Sequence, residues 1–180
     1  MAFVRRKKSG GKHYFQLVRN YREGGKHRQK VLCHLGTHDS VEAAIEGAKQ
    51  KIAFHQDLAA SKQEEASRLR ESLMDKYGNA EVENYEKYHN IEDARDELGW
   101  MRWRNPYRRS AYPYANSGWR GGGEAAWLQE KEKWEIEKQF LDLYVARHDA
   151  WQEAERNKIY TAQWQKKLDE LLECQQEYCS

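Results

Sequence analysis

Long apolar runs, prolines and cysteines are all scarce in this 180-residue chain. Nothing approaches the roughly 18 consecutive apolar residues that a membrane-spanning helix needs, and Met1 to Lys8 lacks a signal peptide's apolar stretch. The expectation is a cytoplasmic protein with no membrane partner, nucleoid-associated if it binds DNA. The three cysteines, Cys33, Cys174 and Cys179, are an odd number that suits a reducing compartment better than a disulfide framework. No C-x-x-C or H-E-x-x-H spacing occurs, although His27, Cys33, His34 and His38 lie close together, so neither a metal nor another cofactor is expected. With 39% hydrophobic and 33% charged residues, a large buried core is excluded. Seven Trp and eleven Tyr exclude a fully disordered chain, because those rings need apolar contacts or flat partners.

The formal net charge of +2 conceals segregation along the chain. Residues 1–60 carry +7, 61–99 carry −5, 100–123 carry +5 and 124–180 carry −5. Partners are therefore to be read from the distribution of charge and not from its total.

Two Gly-Gly turns, Ser9-Gly10-Gly11 and Glu23-Gly24-Gly25, separate three runs rich in β-branched and aromatic residues. This pattern predicts strands over Ala2 to Lys8, Lys12 to Arg22 and Lys26 to Leu35. Alternation puts Phe15 and Leu17 on one face of the second strand, and Val31, Cys33 and Leu35 on one face of the third, opposite Arg28, Lys30 and Leu32. Ser40 or Asp39 is placed to cap a helix from Val41. In that helix Val41, Ile45, Ala48 and Ile52 form a stripe able to cover the sheet. Weaker spacing carries it to about Tyr77, before Gly78. A second helical stretch is expected over about 80–98, with Asn90 at a break and Gly99 at its end. The strongest helical signal is 124–176, free of Pro and Gly, with Trp127, Trp134, Leu141, Val145, His148, Trp151, Ile159, Ala162, Leu168 and Leu172 as its apolar stripe. A run so long and so charged must bury that stripe against the 40–98 region or against a second chain.

The expected fold class is thus α+β: a small three-stranded antiparallel sheet packed on one helix, followed by long α-helices forming a helical hairpin or coiled coil. The domains read as 1–56 (sheet plus helix), 57–99 (acidic helical region), 100–123 (basic aromatic loop or insert) and 124–180 (long amphipathic helix).

Ten cations precede Gly36, opposed only by Glu23. A β-ribbon fits the major groove of B-DNA, where Arg or Lys meets guanine and Gln meets adenine. Gln16, Arg28 and Lys30 are the candidates for base edges. Lys7, Lys8, Lys12, Arg22 and Lys26, in or beside the turns, are candidates for phosphates, and Arg5, Arg6 and Tyr14 complete the expected nucleic-acid surface. A basic, solvated sheet with no such role is the bland alternative.

The stretch Tyr14-Phe15-Gln16-Leu17-Val18-Arg19-Asn20-Tyr21-Arg22-Glu23-Gly24-Gly25-Lys26, followed by His27-Arg28-Gln29-Lys30-Val31-Leu32-Cys33-His34-Leu35-Gly36, resembles the N-terminal segment of insertion-sequence transposases of the DDE class. The three-strand-plus-helix order also looks like the arm-type DNA-binding domain of tyrosine integrases, at the level of fold alone. The resemblance covers about residues 1–56 and implies DNA handling. Such transposases continue into a catalytic domain of the RNase H type. Here charged helices follow instead, so no catalytic residues carry over and no enzyme is expected.

A second constellation, Trp100, Arg102, Trp103, Arg104, Tyr107, Arg108, Arg109, Tyr112, Tyr114 and Trp119, interleaves rings with Arg and contains no acidic residue. It suits stacking on single-stranded nucleic acid, packing of the rings back onto the helices, or docking of another protein, and the sequence leaves the three open. The carboxylates, such as Glu64-Glu65 and Asp169-Glu170, sit beside Lys and Arg as on solvated helix faces. Gly121-Gly122-Gly123 lacks the Gly-Lys-Ser/Thr ending of a phosphate loop. The expected function is a non-catalytic DNA-binding accessory protein of a prokaryotic or mobile-element system, with helices for a protein partner or a homodimer. The alternative is a structural or adaptor subunit of a larger assembly, with RNA in place of DNA left open.

Overall fold

Each Gly-Gly pair adopts positive φ at both residues, 56° and 79° at Gly10 and Gly11, and 56° and 77° at Gly24 and Gly25. Two such residues form the tight turn whose twist matches that of antiparallel strands. The computed structural model, which describes residues 2–103 and 124–179, accordingly folds β1 (Ala2–Ser9), β2 (Lys12–Glu23) and β3 (Lys26–Gly36) into an antiparallel sheet of order β1-β2-β3. Four helices follow: α1 (Val41–Tyr77), α2 (Asn79–Tyr88), α3 (Ile91–Trp103) and α4 (Glu124–Cys179). The expected α+β class, with a three-stranded sheet and a helical hairpin arrangement of α1 and α4, is what the chain forms.

The described residues divide into two compact units, both of which draw on α1 and α4. The first contains residues 1–60 and 154–180. Ser40 Oγ accepts the Ala43 amide at 3.1 Å and starts α1, as an N-cap should. Its stripe Val41, Ala44, Ile45, Ala48 and Ile52 is buried with Leu17, Cys33 and Leu35 of the sheet. Leu168, Leu171 and Cys174 of α4 enter the same core, with Trp164 packed against it. Farther along, Asn157 is buried and its Oδ1 lies 2.8 Å from His55 Nδ1.

The second unit contains residues 61–153. Leu73, Val82, Ala94, Leu98, Met101, Phe140, Leu141 and Tyr144 form its core, and the rings of Tyr77, Tyr85, Phe140 and Tyr144 meet edge to face, the favoured arrangement of their quadrupoles. Ion pairs Arg147–Glu86, Arg95–Asp149 and Lys62–Glu153 line its surface. Asn90 Oδ1 accepts the amides of Glu92 and Asp93 at 2.8 and 2.9 Å while Asp93 returns a bond to the Asn90 amide. This reciprocal cap separates α2 from α3 at the break the sequence suggested.

Three expectations need correction. Gly99 does not end a helix: Leu98 and Met101 bury on one stripe and carry α3 through it to Trp103. Trp100, Arg102 and Trp103 therefore belong to a helix and not to a loop, while Arg104, Tyr107, Arg108, Arg109, Tyr112, Tyr114 and Trp119 lie outside the described residues. On α4, Trp151 and Ile159 are 45% and 58% exposed. The buried stripe instead uses Ala150, Ala154, Asn157, Leu168 and Leu171, spaced by three, four or their sums, as a helix seam requires.

Candidate functional site

The sheet has one covered and one open face, and which residues occupy each depends on two irregularities in β3. Leu17 pairs with Cys33 but Val18 pairs with Val31, so Leu32 is an extra residue; a second shift makes Leu35 extra between His34 and Gly36. Each such bulge sets two residues against one and resets the alternation. Cys33 consequently faces the core, whereas Val31 is 37% exposed on the other side. Because Lys30 pairs with Arg19 and Arg28 with Tyr21, Arg28 and Lys30 share the side of Leu17. The open face runs instead through Phe3, Arg5 and Lys7 of β1, Tyr14, Gln16, Val18, Asn20 and Arg22 of β2, and His27, Gln29, Val31 and His34 of β3.

The expected grouping of Gln16, Arg28 and Lys30 on a single exposed face is thereby overturned. Gln16 does lie on the open face, but it is only 7% exposed. Arg5 extends over it: one guanidinium nitrogen, Nη2, donates to Gln16 Oε1 and the other, Nη1, reaches across β2 to Gln29 Oε1, each at 2.8 Å. Gln16 Nε2 lies 3.0 Å from His34 Nδ1. Beneath this polar layer Val18 is fully buried. Arg5 Nε is buried without a partner.

The remaining cations collect at the two ends of the sheet. Lys7, Lys8 and Lys12, all exposed, surround the first turn, with Arg6 Nε bonded to His13 Nδ1 at 3.0 Å. At the other end β1 stops opposite Arg19, so Asn20 to Gln29 project as a two-stranded ribbon exposed throughout. Arg22 and Lys26 stand on this ribbon. Arg22 bonds the His27 ring, and Arg28 pairs with Glu23 at 3.1 Å. Tyr14 is exposed beside Lys7. Arg5, Asn20, Gln29 and His34 are therefore the polar residues brought to the middle of the open face. Sequence reasoning passed over Gln29 because an uninterrupted alternation put Arg28 and Lys30 on the open face in its place; Asn20 and His34 fall on that face by the same alternation.

Behind the sheet, burial together with the neighbouring Cys174 pushes the Cys33 thiol up to about 12, so it stays protonated in the core. Among the described residues no group of three or more His, Cys, Asp or Glu could hold a metal ion, and no helix is long and apolar enough to cross a membrane.

No curated protein and no solved structure matches the chain. A family does. Residues 3–79, which take in the sheet and the whole of α1, match the IS1634 family transposase, N-terminal domain, so the likeness to insertion-sequence transposases expected over residues 1–56 is borne out and extends to the end of the first helix.

Proposed function

We propose that the sheet binds duplex DNA for a mobile-element system, and that the chain is a non-catalytic accessory protein whose helical unit contacts other components. The observation that carries this reading is the pair of basic ends: Lys7, Lys8 and Lys12 at one turn, Arg22 and Lys26 at the other, all exposed. Adjacent turns of a β2 strand of 12 residues lie roughly 36 Å apart at about 3.3 Å per residue, close to one turn of B-DNA. Cations at both ends can thus meet phosphates while the projecting ribbon enters the groove. The match to a transposase N-terminal domain supports a DNA-related role. The accessory assignment is supported by where the described carboxylates of the helices lie: Glu86, Asp149 and Glu153 are engaged in ion pairs.

The test is duplex binding as a function of salt. Five phosphate contacts give a slope of log K against log salt of about −4.5, hence a loss of about 500-fold between about 50 and 200 mM salt. Changing Lys7, Lys8 and Lys12 together to Ala should flatten the slope by about 2.7 without altering the thermal unfolding of the protein. An affinity independent of salt would defeat the proposal.

A further inference from the structure

Hydrogen-bond chemistry on the open face leaves little freedom in how its amides and its imidazole are oriented. Arginine has donors only. Both glutamines that meet Arg5 must therefore turn their carbonyl oxygens toward it, and Gln16 and Gln29 do so. Gln16 is then left with its NH2 group aimed at His34 Nδ1, and an amide NH2 can only donate. His34 Nδ1 must accept, which puts the ring proton of the neutral imidazole on Nε2. Gln29 is likewise left with its NH2 group as the end not held by Arg5. Both His34 and Gln29 are exposed. The middle of the face therefore offers N–H donors at two points.

Among the base edges of the major groove, guanine alone offers two adjacent acceptors, N7 and O6, with no donor; adenine pairs an acceptor with a donor, thymine sets a single acceptor, O4, beside its methyl group, and cytosine presents a donor. We propose that the open face of the sheet reads guanine at two positions, through His34 Nε2–H and the Gln29 amide, with Arg5 and Gln16 as positioning residues that set the tautomer of one and the rotation of the other. This rests on the reading of the sheet as a duplex-binding surface and names what it recognises. His34 and Gln29 stand opposite Gln16 and Asn20, four residues apart on β2 because Leu32 is the extra residue of β3, about 13 Å, so the two guanines should be separated by roughly four base pairs at about 3.4 Å each. Arg28 and Lys30, on the opposite side of the strand, take no part in reading bases.

The experiment uses the full chain and a random-sequence duplex library, recovered by binding at fixed salt and sequenced. Guanine should be enriched at two positions at that separation, and 7-deazaguanine, which lacks the N7 acceptor, should weaken binding at either. His34→Ala and Gln29→Ala should each lose about tenfold of the discrimination at one position only, whereas Lys26→Ala weakens all sequences alike. Gln16→Leu should erase the preference assigned to His34 and retain that assigned to Gln29. Ring 15N shifts of His34 give a second readout that a merely structural role would not move: the Nε2–H tautomer in the unaltered protein, and a mixture of tautomers in Gln16→Leu. Should Gln16→Leu fail to fold, the tautomer of His34 in the unaltered protein still decides, since an Nδ1–H ring overturns the proposal. Salt-dependent capture of duplexes without enriched guanine overturns it while leaving duplex binding in place; no capture at low salt removes both.

Discussion

Cutting the chain after residue 79 should leave a sheet that cannot hold its own fold, although residues 3–79 are the stretch that matches the transposase N-terminal domain. The reason lies in the core of the first unit, where Leu168, Leu171 and Cys174 are buried against the sheet and α1, and Trp164 packs beside them. Burying a Leu contributes about 1.5–3 kcal/mol. Two leucines with part of a Trp and a Cys therefore supply about 6 kcal/mol, an upper value because the unfolded chain is already partly compact. A unit of this size has a net stability of about 4–13 kcal/mol, so the loss takes away half of it or more. The 1–79 fragment should show poorly dispersed amide resonances, bind a hydrophobic dye and melt without a cooperative transition, and a separate peptide of residues 154–179 should restore dispersion when added in trans. A point-mutation pair sharpens the test within the full chain. Leu171→Ala, at a position 2% exposed, should cost about 2–5 kcal/mol. Leu172→Ala, one residue away but 37% exposed, should cost less than about 1 kcal/mol. Cooperative melting of the 1–79 fragment at the temperature of the full chain, or equal costs at 171 and 172, would refute the reasoning.

Two further outcomes follow from shifted ionisation. Burial, reinforced by Arg95, holds the His148 imidazole below its ordinary value, so the native state resists a proton that the unfolded chain accepts; stability of the second unit should be full above about pH 6.5 and fall as pH drops through it. Thermal unfolding of His148→Gln from pH 5 to 8 should lack that decline, and an unchanged profile would exclude the imidazole as its source. Because Cys33 is held protonated up to about 12 within the core, its alkylation at pH 8 should proceed only at the rate of unfolding, and peptide mapping after brief native treatment should find it unmodified.

The sheet was legible because glycine pairs at 10–11 and 24–25 mark the turns where the backbone must take positive φ, and Gly36, also at positive φ, marks the end of β3. Its register was only half legible. Period-2 reading assumes an unbroken ladder, and the extra residues at Leu32 and Leu35 carry no compositional mark, both being apolar residues at home in a strand. That one oversight exchanged the faces of the residues before Leu32, moved Arg28 and Lys30 onto the open side and hid Gln29. On α4 the large side chains Trp151 and Ile159 looked like core by hydrophobicity, yet the buried positions are Ala150, Ala154 and Asn157, the last hydrogen-bonded to His55. The choice between Leu171 and Leu172 rests on a phase difference of one residue along a 56-residue helix, which a drifting 3.6-residue period cannot decide from sequence.

The partners that close the first core lie some 150 residues apart along the chain, Leu17 on β2 and Leu171 on α4. During synthesis the β-hairpins can emerge and begin to pair, and α1 can begin to cover them, long before residues 154–179 exist, but the core stays incomplete until that helical segment is made. Completing so long a loop costs about 1.4 kcal/mol more than one of 30 residues, and until then the exposed strands are open to association with other nascent chains. A finished basic surface therefore appears late and all at once, so that a ribosome-bound fragment carries the cations of the sheet without the scaffold that aligns them.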